Sequence, residues 1–232
     1  MTTEPFAPWR RYLTPAAIAI VTGLQGCGGG EGASAVATTN PQAAHAALME
    51  QPHDYRLSGT SQGISFDATL TLRPGAEAQY QDRKFATTEI TETMSANGQS
   101  LGSGTQTLWR DKATGETFFY AGSPTGNCGI VSSSSPLPTS ATLGGSGAMY
   151  EADEYSNCAS PDQARNRIAT SRMDWAYKQV GGLGYLCLNG TNDVDAVTES
   201  DCVEVTDAKG TLGKHFRVVL KAADGTSLTM TN

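Results

Sequence analysis

The sequence predicts an all-β fold over residues 54–232, either an antiparallel sandwich or a partly closed barrel, held by two disulfides. Three observations predict it. Apolar and polar residues alternate with a period of two in many segments, turn-forming pairs separate those segments, and long helical patterns are absent after residue 53. Roughly ten to twelve short strands at this spacing are typical of such a fold. A chain of 232 residues is long enough to bury one sizeable core.

The period of two is clearest in three segments, each of which places its apolar residues on one face. These are residues 63–73 with Ile64, Phe66, Ala68, Leu70 and Leu72, residues 171–178 with Met173, Trp175 and Tyr177, and residues 214–221 with Phe216, Val218 and Leu220. Such alternation is typical of antiparallel strands that are packed on one side and wetted on the other. The pair Asn97-Gly98 lies between two alternating segments and predicts a tight hairpin turn.

Residues 1–26 have the organisation of a secretory signal peptide. Arg10 and Arg11 form a basic start, and the apolar run "LTPAAIAIVTGL" extends from Leu13 to Leu24. A helix that spans a bilayer needs about 20 apolar residues, so this run is too short to cross a membrane. The pattern therefore predicts export of the chain.

The apolar run ends in "LQGC", which resembles the lipobox of bacterial lipoproteins through Leu24, Gly26 and Cys27. The resemblance implies that the chain is cut after Gly26 and that the Cys27 thiol carries diacylglycerol. It also implies acylation of the new amino group, as by palmitate, and two or more acyl chains anchor a protein stably. Because Gly28 and not Asp follows the cysteine, the resemblance implies the outer membrane of a Gram-negative bacterium, on the periplasmic face or the cell surface.

The cysteine count agrees with a lipid on Cys27. The chain has five cysteines, so four remain for disulfides in an oxidising compartment. Four cysteines allow three pairings, of which we favour the sequence neighbours, Cys128 with Cys158 and Cys187 with Cys202. No two cysteines are closer than 15 positions, whereas structural zinc sites use much shorter spacings. The four cysteines are therefore predicted to be disulfides.

Residues 27–53 are predicted to form a lipid-anchored tether. They are rich in Gly, Ala, Ser and Thr and contain no aromatic residue, with a short helix expected over Ala43–Glu50. A flexible chain of 25 residues has a typical reach of about 28 Å. The domain division is then a signal peptide over 1–26, a tether over 27–53 and a β domain over 54–232.

Charge and motifs exclude several classes of function. The formal net charge is −7 at pH 7, and basic residues are scattered, so nucleic acid is not a predicted partner. Ser103 and Ser146 lack the full G-x-S-x-G pattern of a nucleophile elbow, and His215 is predicted to lie on an outward strand face. No cofactor and no metal site is predicted. We make no firm assignment of catalysis and favour a protein that is not an enzyme.

Acidic and aromatic residues are the remaining candidates for chemistry. Carboxylates concentrate in Tyr150–Cys158 and in Asn189–Asp207, where Asp193 and Asp195 are weak candidates for calcium, although the EF-hand spacing is absent. Paired carboxylates from these segments are also the groups that glycoside hydrolysis requires. The aromatic residues that form a pool for sugar stacking are Trp109, Phe118, Phe119, Tyr120 and Trp175.

The predicted function is that of a lipid-anchored cell-envelope protein with a non-catalytic binding or structural β domain. Its partner is expected to be a protein, a glycan or an envelope polymer, in addition to the membrane that holds the lipid. The alternative is a carboxylate-dependent hydrolase that acts on an envelope or extracellular polymer.

Overall fold

The protein folds into antiparallel strands with one helix, as seen in a computed structural model that describes residues 35–123, 126–194 and 197–232. The helix α1 is Pro41–Glu50, and a short 3₁₀ helix is Pro161–Gln163. The strands are β1 Thr38–Thr39, β2 His53–Ser61, β3 Ile64–Pro74, β4 Ala78–Tyr80, β5 Arg83–Ala96, β6 Gln99–Asp111, β7 Thr117–Ser123, β8 Cys128–Ser134, β9 Ala141–Thr142, β10 Ser146–Ser156, β11 Asn166–Val180, β12 Leu183–Asn192, β13 Val197–Val205, β14 Leu212–Ala222 and β15 Ser227–Thr231.

One sheet closes on itself and forms a barrel. Its strand order is β3-β2-β15-β14-β13-β12-β11-β10-β8-β7-β6-β5, and β5 pairs back to β3 from Phe66↔Ala96 to Pro74↔Thr88. This ring contains twelve of the described strands, all antiparallel to their neighbours. β4 pairs with the first three residues of β5, and β1 pairs with β9 in a separate two-stranded sheet. The predicted all-β antiparallel fold is confirmed, and the closure of the sheet selects the barrel over the sandwich.

The period of two places the predicted apolar faces inside the barrel. Phe66, Ala68, Leu70 and Leu72 are buried on β3, as are Trp175 and Tyr177 on β11 and Phe216, Val218 and Leu220 on β14. Ile64 is the exception, because it begins β3 next to the turn at the barrel rim and is 40% exposed. The alternation therefore predicts the inner face correctly except where the strand reaches the end of the barrel.

The β5–β6 hairpin turns at Asn97-Gly98, as predicted. Asn97 and Gly98 have φ angles of 49° and 77°. Positive φ at two successive residues is the requirement of the tight hairpin turn that Asn-Gly favours. The Asn97 side chain also accepts a hydrogen bond from the backbone N–H of Ser65 at 3.1 Å, which joins this turn to the start of β3.

Both favoured disulfide pairings are confirmed. Cys187 and Cys202 lie directly opposite each other on β12 and β13. Cys128 at the start of β8 bonds to Cys158, which belongs to the connection between β10 and β11. Each pair is buried on the outer side of the barrel wall, where its neighbours are Tyr185 in one case and Phe119 in the other. The disulfides therefore fasten outer surface segments and leave the lumen to other side chains.

The last two thirds of the predicted tether are part of the folded domain. Asn40 caps α1 by accepting a hydrogen bond from the N–H of Ala43 at 2.9 Å, and Pro41 stands in the first turn. Ala44, Leu48 and Met49 are buried in the same cluster as the barrel core. The short helix is confirmed, but the predicted boundary at residue 54 is corrected, because the ordered packing begins near residue 36.

α1 and the residues before it cover one end of the barrel. Hydrogen bonds reach from this segment to several sides of the rim: the Tyr177 hydroxyl donates to the Val36 carbonyl at 2.6 Å, Thr39 Oγ1 donates to the Asp207 carbonyl at 3.2 Å, and Thr88 Oγ1 donates to the Met49 carbonyl at 2.8 Å. Because these partners belong to β11, the β13–β14 turn and β5, the segment must cross the opening. We call this the plugged end.

Gly129 on β8 offers a test of packing against the lumen. A Cβ atom at this position would overlap the ring of Tyr120, whereas a Cβ at Gly190 would lie 3.6 Å from Met173 Cε, an ordinary contact. We expect Gly129→Ala to lower the free energy of unfolding by about 1–3 kcal/mol, the usual cost of overpacking. Gly190→Ala is the control and should cost clearly less. Equal denaturation midpoints for the two variants would contradict the close approach of Tyr120.

Candidate functional site

The lumen has a packed half and a partly open half. Next to the plugged end, Tyr177, Leu186 and Val203 are fully buried. Further along the same strands, Leu188 and Met173 are only partly buried, although both face inward. A closed sheet of twelve strands is wider than the eight-stranded barrels whose interiors side chains fill. The apolar core and α1 fill one half, and the other half keeps room. We call this half the lumen chamber.

Small and polar side chains line the lumen chamber. Residues that are directly paired on neighbouring strands lie on the same face of the sheet. The strand register therefore shows which residues face inward, starting from the buried core residues. The inward-facing residues of this half include Glu92, Gly104, Gln106, Tyr120, Gly122, Tyr150, Glu154, Ser171, Met173, Leu188, Gly190, Asn192, Glu199 and Asp201, together with the buried apolar Phe66, Met94, Leu220 and Leu228. The chamber therefore combines glycines, which leave space, with carboxyl, amide and hydroxyl groups.

Three carboxyl groups approach one another across the chamber. Glu199 and Asp201 lie on β13, and Glu92 lies on β5, five strands away around the ring. Burial, and then the charges of Glu199 and Asp201, raise the pKa of Glu92 well above its ordinary value. Burial, and then the charge of Glu199, raise the pKa of Asp201 in the same way. These groups are therefore held in an environment that favours protonation, which is common in binding and catalytic sites.

A hydrogen-bond network forms the adjoining wall. The Tyr120 hydroxyl donates to Glu154 Oε1 at 2.9 Å and lies 2.7 Å from Ser171 Oγ. Burial, and then the charge of Glu154, raise the pKa of Tyr120 well above its ordinary value. This network joins β7, β10 and β11, three of the four successive strands β11-β10-β8-β7, through polar contacts that are themselves inside the lumen.

The two acidic segments predicted from the sequence both contribute to the chamber, but only through some of their residues. Glu154, Glu199 and Asp201 face inward. Glu204 faces outward and accepts a hydrogen bond from the N–H of His215 at 3.1 Å. Asp207 accepts hydrogen bonds from N–H groups in its own turn. The sequence showed which segments were acidic, and strand alternation decided which side chains enter the lumen.

The weak calcium candidates do not form a described cation site. Asp193 accepts a hydrogen bond from the N–H of Thr170 at 2.8 Å and thereby fastens the end of β12 to β11. Asp195 lies outside the described residues. In the part of the chain that the structure describes, no group of three or more His, Cys, Asp or Glu side chains has the arrangement to hold a metal ion.

The aromatic pool divides between the two faces of the barrel. Tyr120 and Trp175 face the lumen. Trp109, Phe118 and Phe119 lie outside; Trp109 contacts Phe119 with ring centroids 5.1 Å apart. Phe119 is fully buried and Trp109 is partly buried beneath neighbouring segments, so this outer cluster is a small core and not an exposed strip.

The predicted anchor residues Leu24, Gly26 and Cys27 lie outside the described residues. Over the ranges that are described, no helix has the length and apolar character needed to cross a membrane.

Glu92 is the chamber residue that the sequence reading missed. It lies between Ile90 and Met94 on the inward face of β5, where the alternation predicts an apolar residue. The sequence signal for Glu92 was a carboxylate at a position where the period of two places the side chain on the inward face. The two acidic segments are recognisable by their density of carboxylates. Glu92 is flanked by threonines, which are compatible with either face of a strand, so the alternation of inward and outward positions is hard to read there.

The fold and the chamber together define a closed, plugged antiparallel barrel with a partly open, polar lumen. No protein-family model, no curated protein and no solved structure matches the chain.

The raised pKa of Asp201 predicts an unusual dependence of stability on pH. A carboxyl group that binds its proton more tightly in the folded state loses stability as pH rises from its unfolded pKa to its folded pKa. Asp201→Asn removes this loss. We expect the variant to be more stable than the wild type at pH 7, by on the order of 1–2 kcal/mol, with the difference shrinking toward pH 4. Urea denaturation across this range measures it.

Asp67→Asn is the control, because Asp67 is exposed on the outer face of β3. A stability difference between Asp201→Asn and the wild type that stays constant from pH 4 to pH 7 would contradict the buried, proton-retaining environment of Asp201.

Proposed function

We propose that the protein is a lipid-anchored cell-envelope protein whose barrel binds a small polar ligand in the lumen chamber. The observation that carries the proposal is the contrast within one lumen. The half next to α1 is filled by apolar side chains, whereas the inner face of the other half also carries glycines and hydrogen-bonding groups, of which Glu92, Asn192 and Asp201 remain partly exposed. Ligand sites in barrels commonly lie in the mouth of the barrel and combine open volume with a few polar groups.

Binding inside the barrel fits this surface better than association through a strand edge. The pairing of β3 with β5 leaves the twelve-stranded ring without a free edge, and only the three-residue β4 ends the described sheet. An unpaired edge is the usual means of adding a partner strand. Of the predicted partner classes, a molecule that enters the chamber is therefore favoured, such as an exposed unit of a glycan or an envelope polymer.

The proposed anchor also gives the barrel an orientation. Val36 accepts a hydrogen bond from Tyr177 at the plugged end, so residues 28–35 alone would connect the fold to a lipid on Cys27. Eight residues span at most about 28 Å. The plugged end then faces the membrane, and the chamber opens on the opposite side. The two disulfides support a location outside the reducing cytoplasm, and the lipobox supports the outer membrane.

Carboxylate-dependent hydrolysis is the second candidate. It is favoured by the proximity of Glu199 to Glu92 and Asp201, whose pKa values are raised by burial and by the charge of Glu199, because a carboxyl that keeps its proton beside a second carboxyl is the arrangement that glycosidase chemistry requires. Product release from an envelope polymer, lost in Glu199→Gln with the polymer still bound, would distinguish hydrolysis from binding.

The anchor is tested by Cys27→Ala. The unmodified chain should label with radioactive palmitate and remain in the membrane fraction after a high-salt wash. Cys27→Ala should lose the label and become soluble, because no acyl chain would remain to hold it. Gly30→Ala, three residues away, is the matched control and should behave as the unmodified chain. A Cys27→Ala protein that stays in the membrane fraction would exclude the lipid anchor.

The chamber is tested by filling it from Gly190. A Cβ at this position would make an ordinary contact with Met173 Cε at 3.6 Å and meet no other atom within 4 Å, so a larger side chain would extend into the lumen. We expect native mass spectrometry to detect a bound small molecule in the wild-type protein isolated from the envelope. Gly190→Phe should lack this molecule, because the phenylalanine ring would occupy the chamber. Thr191→Phe, on the outer face of the same strand, should retain it. A ligand that persists in Gly190→Phe, or is absent from the wild type, contradicts binding in the chamber.

A further inference from the structure

A second cavity lies at the plugged end, away from the lumen chamber. It has a volume of about 300 Å³ and lies between α1, the β6–β7 hairpin and the start of β10. Most of the side chains around it are polar, including Gln42 and Thr114, and its floor contains Arg110 and His45. We call it the Arg110 cleft. Apart from Tyr150, which also lines the lumen chamber, its lining residues are not used in the proposed ligand binding or anchoring.

Arg110 is a buried cation with incomplete compensation. The residue is 2% exposed, and its Nε has no hydrogen-bond partner among the described residues. Nη2 donates to the Met49 carbonyl at 3.4 Å and to Thr88 Oγ1 at 3.3 Å, which are long hydrogen bonds. Removing a guanidinium from water is costly unless an anion and good hydrogen bonds replace the solvent. The surroundings of Arg110 supply less than that.

Glu50 is a weak and replaceable counter-ion for Arg110. Its Oε1 lies 3.6 Å from Arg110 Nη1, and the Glu50 side chain is 61% exposed at the last turn of α1. An exposed carboxylate on a flexible side chain holds its partner with little net free energy. An incoming anion therefore competes with Glu50 at low cost.

His45 adds a neutral group beside the cation. It is buried on α1, and burial, followed by the charge of Arg110, lowers its pKa to about 4. At neutral pH the imidazole is uncharged and has one N–H donor and one acceptor. The cleft thus holds one buried positive charge next to a neutral hydrogen-bonding group, and its volume suits a molecule of a few heavy atoms.

We propose that the Arg110 cleft binds a small free anion, a carboxylate or phosphate compound, which takes the place of Glu50 at the Arg110 guanidinium. Arginine recognises both kinds of anion through charge-assisted hydrogen bonds. The site lies at the plugged end and uses residues of α1 and the β6–β7 hairpin, and it shares Tyr150 with the wall of the lumen chamber.

The test uses the three histidines of the chain as reporters. The purified full chain is titrated with sodium acetate and with inorganic phosphate at constant ionic strength and pH 7, and the imidazole signals are followed by NMR. We expect a saturable shift of the His45 signal, assigned with His45→Gln, for at least one of the two anions. The His215 signal, from the outer wall, should not respond.

Glu50→Gln removes the competing carboxylate and should lower the apparent Kd about threefold, the effect expected of an exposed ion-pair partner. Glu89→Gln, an exposed carboxylate on the outer face of β5, should leave the Kd unchanged. Arg110→Gln should abolish the shift. Because that substitution also removes the donors to the Met49 carbonyl, the comparison of Glu50→Gln with Glu89→Gln decides the outcome if Arg110→Gln does not fold.

Three results would overturn the proposal. The first is the absence of a saturable His45 shift with either anion. The second is an equal response of His45 and His215, which would indicate a general ionic effect. The third is a response confined to phosphatidylglycerol vesicles and absent with phosphatidylcholine vesicles and with both free anions, which would assign the cleft to a lipid headgroup.

Discussion

The pairing of β3 with β5 is the constraint on which the rest of the structure depends. β3 contributes both of its edges, one to β2 and one to β5, over nearly its whole length. This second ladder turns an open meander into a ring and satisfies backbone groups that would otherwise form exposed edges. Closure also gives every strand an inner and an outer face. In a closed ring, alternate side chains of each strand therefore point into one shared lumen.

α1 makes the two ends of that lumen unequal. Its buried Leu48 and Met49 extend the barrel core beyond the strands, and Thr88 and Arg110 hold the Met49 carbonyl at its last turn. The half next to α1 is consequently tightly packed, while no α-helix covers the opposite end among the described residues. The same segment that plugs the barrel also lines the Arg110 cleft and would receive the chain from the proposed anchor, so one short helix lies next to the core, the cleft and the start of the described chain.

The polar character of the chamber follows from the order of residues along the inner faces. On β13, Val203 and Val205 lie toward the plug, and Asp201 and Glu199 follow toward the open half. On β12, Leu186 gives way to Leu188 and then to Gly190 and Asn192. Burial and proximity then raise the pKa of Asp201 and Glu92 together. Carboxyl groups placed at such depth lower stability at neutral pH, which is a cost more typical of a binding or reacting surface than of a structural wall.

The sequence by itself determined the local features: the alternating faces around Phe66 and Phe216, the Asn97-Gly98 turn and the short helix near Ala44. Each of these depends on residues that are close together in the chain, so periodicity and turn chemistry are sufficient to find them. For the four cysteines, parity indicated two disulfides, and the structure selected the favoured pairing from the three that were possible. Only the tertiary structure decided that β3 meets β5, that Glu92 faces Asp201 and that Arg110 lies under α1. Such contacts join residues that are distant in sequence, and no local pattern encodes the register and curvature that bring them together.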